Sequence, residues 1–159
     1  MKPLFRPKGI VVHHSATRDT DTISYDAIKR FHRGELGWDE IGYQYLIEIV
    51  DGRPVLFTGR GLQYEGAHCV GCNDMIGICV VGNYDKVEPG SVYADGKIEK
   101  LINLLTGLLH IYPHLTLVDI HYHRHYAKKT CPGTHFPDIA LIREYVMSKV
   151  APPNFSKAI

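Results

Sequence analysis

The sequence lacks the features that mark membrane-spanning and nucleic-acid-binding proteins. No run of about 18 apolar residues occurs, so we predict no membrane span. Lysine and arginine number 18 against 17 aspartates and glutamates, and a net charge of +1 is too small to attract nucleic acid. Repeats and low-complexity segments are absent as well. The whole chain, residues 1–159, is therefore predicted to form a single domain with its own core, and we expect a monomer.

The N-terminus lacks the apolar core of a signal peptide. Residues 1–7 contain Lys2, Arg6 and two prolines, and they lead directly into the first predicted strand. We therefore expect synthesis in the cytoplasm without a signal peptide, and export only with help from another component.

The four cysteines do not indicate a disulfide framework. A domain of this size does not need disulfides for stability, and Cys79 lies in an apolar run that is predicted to be a strand. Cys69 and Cys72 have the spacing of half a zinc site, but no second pair follows. A loop disulfide is the other alternative. We interpret the two as reduced thiols and predict that they are dispensable.

Apolar patterning predicts alternating strands and helices. Alternating or continuous apolar runs indicate strands, and apolar residues at helical spacing indicate helices. The predicted strands are 9–14, 43–50, 53–57, 76–82 and 115–121, and the predicted helices are 24–34, 98–112 and a last one opened by Pro137. Ser24 is the predicted N-cap of the first helix. The residues of the last helix that are predicted to face the core are Ile139, Ile142, Tyr145 and Val146. The strands 43–50 and 53–57 form a hairpin around Asp51-Gly52. We expect an α/β fold with a mixed sheet of five to six strands, helices on both faces, a core at 9–150 and a loose tail at 151–159.

Residues 121–133 concentrate the groups that bind metals. Three histidines, one cysteine and three cations fall within thirteen residues, and imidazole and thiolate are the ligands that zinc prefers. Two ligands can come from this segment, and the pair His13-His14 at the end of the first strand can supply a third. Ligands in α/β folds gather beyond the carboxyl ends of strands, where both segments lie.

Spacing alone leaves the choice of ligands open. Neighbouring residues of a strand point to opposite faces, so either His13 or His14 can be a ligand but not both. His121, His123 and His125 share one side if their segment stays extended, so the same rule does not choose among them.

Four blocks of sequence carry a family resemblance. They are VHHSAT at 12–17; FHR at 31–33 with GWDEIGYQY at 37–45; GAH at 66–68 with IGI at 76–78 and VGNY at 81–84; and HRH at 123–125 with KTCPG at 129–133. In this order they resemble the zinc-dependent N-acetylmuramoyl-L-alanine amidases of type 2. That family includes small phage endolysins and is related to the peptidoglycan recognition proteins. The resemblance extends from about residue 9 to residue 147.

The resemblance implies a role for particular residues. One Zn²⁺ ion would be held by His13, His123 and Cys131, and Tyr43 and Lys129 would be catalytic. The third ligand is cysteine or aspartate in the family, and a lysine two residues before the cysteine occurs in phage members.

Three further residues are candidate substrate contacts: His68 in a groove, Asn83, and Trp38. Trp38 is a sugar-stacking platform in one interpretation and a core residue in the other, which we favour. The chain departs from the family at Met75, where serine is usual, and in a shorter preceding loop; it also lacks the early cysteine pair of the recognition proteins.

The implied function is hydrolysis of peptidoglycan at the amide bond between N-acetylmuramic acid and L-alanine. A phage or prophage endolysin that acts on the cell wall after release is the expected role. A cytoplasmic amidase that recycles muropeptides is one alternative, although the members with that role carry aspartate as third ligand. The other is a non-catalytic recognition module, a class that typically lacks the cysteine that this chain has at Cys131.

Overall fold

A computed structural model describes residues 1–3, 6–18, 24–87 and 89–150; the predicted tail at 151–159 lies outside these ranges. The strands are β1 (Ile10–His14), β2 (Tyr45–Val50), β3 (Arg53–Thr58), β4 (Ile76–Val80) and β5 (Ile120–Tyr122). The helices are α1 (Ser24–Arg30), α2 (Lys97–Ile111) and α3 (Ile139–Val150). A π-helical turn (Phe31–Glu35) extends α1, and short 3₁₀ turns span Pro89–Tyr93, Leu117–Asp119 and His123–His125.

The five strands form one mixed sheet in the order β3-β2-β4-β1-β5. β1 pairs in parallel with β4 and β5, and β4 pairs in parallel with β2. β2 and β3 are antiparallel. Every residue of β1 and β4 is buried, which explains why both read as nearly continuous apolar runs. The predicted α/β class and mixed sheet are confirmed.

Both faces of the sheet are covered by helices, as predicted. Alternate residues of a strand face opposite sides, so Ile10 and Val12 join the larger core while Val11 points the other way. Helices α2 and α3 complete the larger core through Leu101, Leu105, Ile142 and Val146. On the second face, Tyr25 and Ile28 of α1 pack near Ile41, Leu46, Cys79 and Val81.

The predicted hairpin is present between β2 and β3. Val50 pairs with Arg53, so Asp51 and Gly52 are the two residues of the turn. Their φ angles are +50° and +71°, the left-handed conformation that the mirror-image two-residue turns require. Asp-Gly adopts it at low cost, because glycine has no Cβ and aspartate tolerates this region.

The predicted strand at 115–121 is wrong over most of its length. Residues Leu117–Asp119 form a 3₁₀ turn, and β5 begins at Ile120. The carboxylate of Asp119 accepts hydrogen bonds from the backbone N–H of Thr116, at 2.8 Å, and from its hydroxyl, at 2.9 Å. This local capping competes with strand pairing, which the alternation of apolar residues did not reveal.

One helix prediction also needs correction. Tyr145 was predicted to face the core with the apolar residues of α3, but 43% of its surface is exposed.

The start of α1 has a partner on the sheet. The backbone N–H of Ser24, the predicted N-cap, donates to the buried carboxylate of Glu48 on β2 at 2.6 Å, and the N–H of Tyr25 donates to the same carboxylate at 3.3 Å.

Glu48 therefore caps α1 from the neighbouring sheet, where its negative charge also opposes the positive end of the helix dipole. No helix in the described part of the chain is long and apolar enough to cross a membrane.

Replacement of Glu48 by glutamine is expected to lower the free energy of unfolding by about 1–2 kcal/mol, because charge-assisted bonds to one buried and one partly buried N–H group become neutral ones. Urea unfolding monitored by circular dichroism measures this difference. Glu144→Gln on the exposed surface of α3 is the matched control and should change stability by less than about 0.5 kcal/mol. An equal effect of both substitutions would contradict the capping role of Glu48.

Candidate metal centre

His13, His123 and Cys131 converge at the carboxyl edge of the sheet. Their potential ligand atoms all lie within 4.8 Å of one another, and His13 Nδ1 is 3.9 Å from Cys131 Sγ. His13 and Cys131 are buried, and His123 is half-buried. In the part of the chain that the structure describes, this is the one group of three such residues whose geometry could hold a metal ion.

Parallel strand pairing brings two of these residues together. Val12 of β1 lies opposite Tyr122 of β5, so the residues that follow, His13 and His123, emerge side by side. Their ring centroids are 4.5 Å apart. The ends of parallel strands meet at one edge of a sheet, which is how residues more than a hundred positions apart in sequence form one cluster.

The structure separates the histidines that spacing could not distinguish. His14 points away from the cluster, and its Nδ1 accepts a hydrogen bond from the backbone N–H of Tyr84 at 3.3 Å. The chain turns into a 3₁₀ helix at His123–His125, so the three histidines of that segment do not share one side as they would on a strand. The rings of His121 and His125 stack on each other at 5.2 Å.

His68 lies directly behind His13. Nδ1 of His68 is 3.0 Å from Nε2 of His13, and Nε2 of His68 is 3.1 Å from the backbone carbonyl oxygen of Met75. Burial, more than any other influence, lowers the pKa of His68 to about 4, so its ring is neutral near pH 7. The sequence predicted that His68 contacts substrate, whereas both of its ring nitrogens have partners within the protein.

The loop that carries Cys131 is held by Asp85, a residue that the sequence did not single out. The carboxylate of Asp85 accepts hydrogen bonds from the hydroxyl of Thr130 and from the backbone N–H of Thr134, both at 2.8 Å. It therefore fixes the loop on both sides of the cysteine. The backbone N–H of His14 also approaches Cys131 Sγ, at 3.4 Å, and suits a thiolate there.

The electrostatic environment keeps the two imidazoles of the cluster neutral. Burial lowers the pKa of His13 well below its usual value, with smaller contributions from His68 and His123. Burial also lowers the pKa of His123, with the charge of Lys129 adding to the effect. Burial raises the pKa of the Cys131 thiol to about 11, against the opposing influence of the His14 N–H and of Lys129. Neutral imidazole nitrogens are the form that binds metals.

Tyr43 and Lys129 both lie beside the cluster. The Tyr43 ring centroid is 5.3 Å from that of His13, and burial raises the pKa of its phenol well above the usual value. Tyr43 therefore keeps its proton at neutral pH and can donate a hydrogen bond. Lys129 is exposed, but its charge is close enough to lower the pKa of His13, His123 and Cys131.

The other two predicted substrate contacts, Trp38 and Asn83, contact residues outside the cluster of His13, His123 and Cys131. Trp38 is half-buried against the ring of His32, at 4.7 Å between centroids, which agrees with a packing role. Asn83 is half-buried; its amide donates to the carbonyl of Ala16 at 3.3 Å and accepts from the N–H of Asp85 at 3.2 Å. It lines a polar cavity of about 650 Å³.

A second cavity, of about 490 Å³, adjoins Tyr43. The helix α1 and the segment after β1 form its walls through Ser15, Thr17, Arg18, Ile28 and Phe31. Phe31 is 52% exposed. The sequence analysis placed Phe31 in a family block at 31–33 but did not predict the cavity, because the cavity forms between segments that are distant in sequence.

Cys69 and Cys72 form a disulfide, which corrects the interpretation that they are reduced thiols. Their Cα atoms are 5.2 Å apart, and the pair packs with Val11. Cys79 and Cys131 are free thiols.

Sequence comparison agrees with this arrangement. Residues 3–134 match the N-acetylmuramoyl-L-alanine amidase family, and the chain belongs to that family.

Individual relatives include both lytic and recognition proteins. The chain is 32% identical to the endolysin of Enterobacteria phage T3 over 134 residues, which cover 83% of this chain and 84% of the relative. It is also 32% identical to peptidoglycan-recognition protein SC1a of Drosophila melanogaster over 140 residues, with coverage of 79% and 67%. The structure of N-acetylmuramoyl-L-alanine amidase LysC from Clostridium intestinale URNW superposes with a TM-score of 0.74 at 28% identity, covering 90% of this chain and 87% of that one.

Removal of the disulfide by Cys69→Ser with Cys72→Ser is expected to leave the metal centre intact. The bond closes a very short loop, so its loss should lower the free energy of unfolding by about 2 kcal/mol. Urea unfolding with and without reductant measures the change, and metal content measures the centre. Thiol titration of the denatured wild type should find the two free cysteines. Four thiols, or loss of metal from the double variant, would contradict this assignment.

Proposed function

We propose that the protein is a zinc-dependent amidase that hydrolyses the amide bond between N-acetylmuramic acid and L-alanine in peptidoglycan. The observation that carries this proposal is the convergence of His13, His123 and Cys131 beside Tyr43, within a chain of the N-acetylmuramoyl-L-alanine amidase family. Catalytic zinc sites use three protein ligands and leave one position open, which matches a cluster of three.

The donor set fits Zn²⁺ in both chemistry and spacing. Zinc–ligand distances of about 2.0–2.3 Å in a tetrahedral site separate two donors by roughly 3.5 Å. His13 Nδ1 and Cys131 Sγ are 3.9 Å apart, a few tenths of an ångström beyond this separation, and the ligand atoms of all three residues lie within 4.8 Å of one another. Two neutral imidazoles and one thiolate would leave a net charge of +1 at the centre, which favours a developing anion.

The surrounding residues would stabilise the transition state. Zinc, when bound, supplies polarisation of the amide carbonyl and activation of a water molecule. The Tyr43 hydroxyl would donate a hydrogen bond to the carbonyl oxygen as negative charge develops on it, because its raised pKa keeps the proton in place. Lys129 would hold a positive charge near the same oxygen. Neither residue needs to act as a general base in this scheme.

Two cavities offer room for a glycopeptide. The cavity next to Tyr43 is lined by the apolar Ile28 and Phe31 and by hydroxyl and cationic side chains. We assign it to substrate, together with the polar cavity that Asn83 lines. Trp38 packs against His32, so we assign it to the support of this wall.

An endolysin is the biological role that we favour. The phage T3 endolysin matches this chain over most of both lengths, which supports a lytic role. The similarity to peptidoglycan-recognition protein SC1a keeps a binding module as the alternative. The cysteine at Cys131 favours catalysis, because a thiolate completes the ligand set.

Purified protein should release L-alanine amino termini from intact sacculi, and chelation of its metal should stop this release. Mass spectrometry of the products identifies the bond that is cleaved. Binding of sacculi without new amino termini would indicate a recognition module. Cleavage of soluble muropeptides but not of sacculi would indicate a recycling enzyme.

We expect one zinc ion per chain and a sharp loss of zinc on Cys131→Ser, because a neutral hydroxyl is a poor zinc ligand. Affinity should fall by more than the roughly 10–100-fold that is typical when an outer partner of a ligand is lost. Cys131→Asp should do less harm, since a carboxylate also binds zinc. Cys79→Ala is the control, since it removes the other buried free thiol and should retain zinc. Zinc titration against a chromogenic chelator measures all three variants.

Tyr43→Phe and Lys129→Ala should slow cleavage at least about tenfold, and up to the roughly 10²–10³-fold typical of a lost oxyanion donor. Zinc content and substrate affinity should change little, because the lost interactions form in the transition state. Steady-state kinetics and metal analysis separate these effects. Lys128→Ala removes the neighbouring exposed charge and should retain near-normal turnover. Normal turnover in Tyr43→Phe would make that hydroxyl structural, and zinc loss in Lys129→Ala would point to the loop and not to the charge.

A further inference from the structure

We propose that His68 is a positioning residue that fixes the tautomer of His13, so that the Nδ1 lone pair of His13 faces the metal site. This inference rests on the proposed function only in taking His13 as a zinc ligand. It assigns His68 a role different from the substrate contact that the sequence predicted. The observations are two consecutive hydrogen bonds, one between His13 and His68 and one from His68 to the backbone carbonyl of Met75, together with a tightly fitted space for the His68 ring.

The direction of the two bonds follows from the group at their end. The carbonyl oxygen of Met75 can only accept, so Nε2 of His68 must carry a proton and donate it, over 3.1 Å. A neutral ring has one such proton, so Nδ1 of His68 is a bare acceptor. The contact of 3.0 Å between this atom and Nε2 of His13 then requires the proton to lie on His13 Nε2.

The consequence for His13 is a single usable tautomer. With its proton on Nε2, Nδ1 carries the lone pair, and Nδ1 is the atom that lies 3.9 Å from Cys131 Sγ. The opposite tautomer would place N–H at the metal position and leave two bare nitrogens, on His13 and His68, facing each other. The chain of bonds therefore selects the ligand atom before any metal binds.

The His68 ring occupies a space made by two glycines. A Cβ atom at Gly66 or at Gly77 would overlap the ring. Neither glycine adopts a positive φ angle, so backbone conformation does not require glycine at these positions. The two glycines of the GAH and IGI motifs instead make room for imidazole.

The backbone of His68 is fixed as well. Its N–H and that of Cys69 both donate to the side-chain oxygen of Asn73, each at 2.9 Å. Contacts from both sides and a fixed backbone leave the ring little freedom to turn. The anchor at Met75 is a backbone carbonyl, so the departure from the serine usual in the family leaves the hydrogen-bond chain unaffected.

Nitrogen-15 NMR of the metal-free protein tests the tautomer without any need for catalysis. The His13 ring, assigned by comparison with a His13→Gln variant, should show a protonated Nε2 and a bare Nδ1. His68→Phe removes the acceptor, so the single tautomer should be lost and zinc should bind roughly 10–100-fold more weakly. His68→Gln offers both a carbonyl oxygen and an N–H group and should restore most of the affinity.

Two glycine-to-alanine variants, one beside the His68 ring and one remote from it, supply a second test with its matched control. Gly77→Ala should displace the His68 ring and weaken zinc binding in the same direction as His68→Phe. Gly107→Ala, at an exposed position of α2 with no atom within 4 Å of the added methyl, should leave zinc affinity unchanged.

Three outcomes would overturn the proposal: a proton on His13 Nδ1 in the metal-free wild type, zinc affinity of His68→Phe within twofold of wild type, or no rescue by His68→Gln. The wild-type spectrum decides the matter even if His68→Phe does not fold. Zinc binding without any cleavage of peptidoglycan would refute the amidase proposal and leave this one standing.

Discussion

The pairing of β1 with β4 on one side and β5 on the other is the constraint on which the structure depends. It places Val12 opposite both Ile78 and Tyr122, so the residues after these three positions meet at one edge of the sheet. His13 and His123 are adjacent for that reason alone. Because β1 and β4 are buried along their whole length, a change of register by one residue would turn every side chain to the wrong face.

Hydrogen bonds from residues outside the cluster determine where its members lie. Asp85 holds both sides of the cysteine loop, and His68 contacts the rear of His13. Glu48 similarly fixes the start of α1, the helix that forms one wall of the cavity beside Tyr43. Each of these polar groups is hydrogen-bonded to neighbours from distant parts of the chain. The site is thus maintained by the tertiary structure as a whole.

Local signals in the sequence were sufficient for much of the fold. The hairpin follows from Asp51-Gly52 between apolar runs, and the central position of β4 follows from its continuous apolar character. The structure also brings together the three residues that the family resemblance marked as ligands.

What the sequence did not reveal depends on partners far along the chain. Asp85 resembles any surface aspartate until the loop at 130–134 packs against it, and the bond between His68 and His13 joins residues 55 positions apart. The length of β5 was overestimated because the Thr116–Asp119 capping interaction leaves the apolar pattern unchanged.

The two edge strands of the sheet have a separate consequence for association between molecules. β3 begins with Arg53 and Pro54, of which the proline has no N–H to offer, and β5 has three residues. A charged, proline-containing strand and a very short one are poor templates for strand addition, so edge-to-edge aggregation is disfavoured even at high concentration.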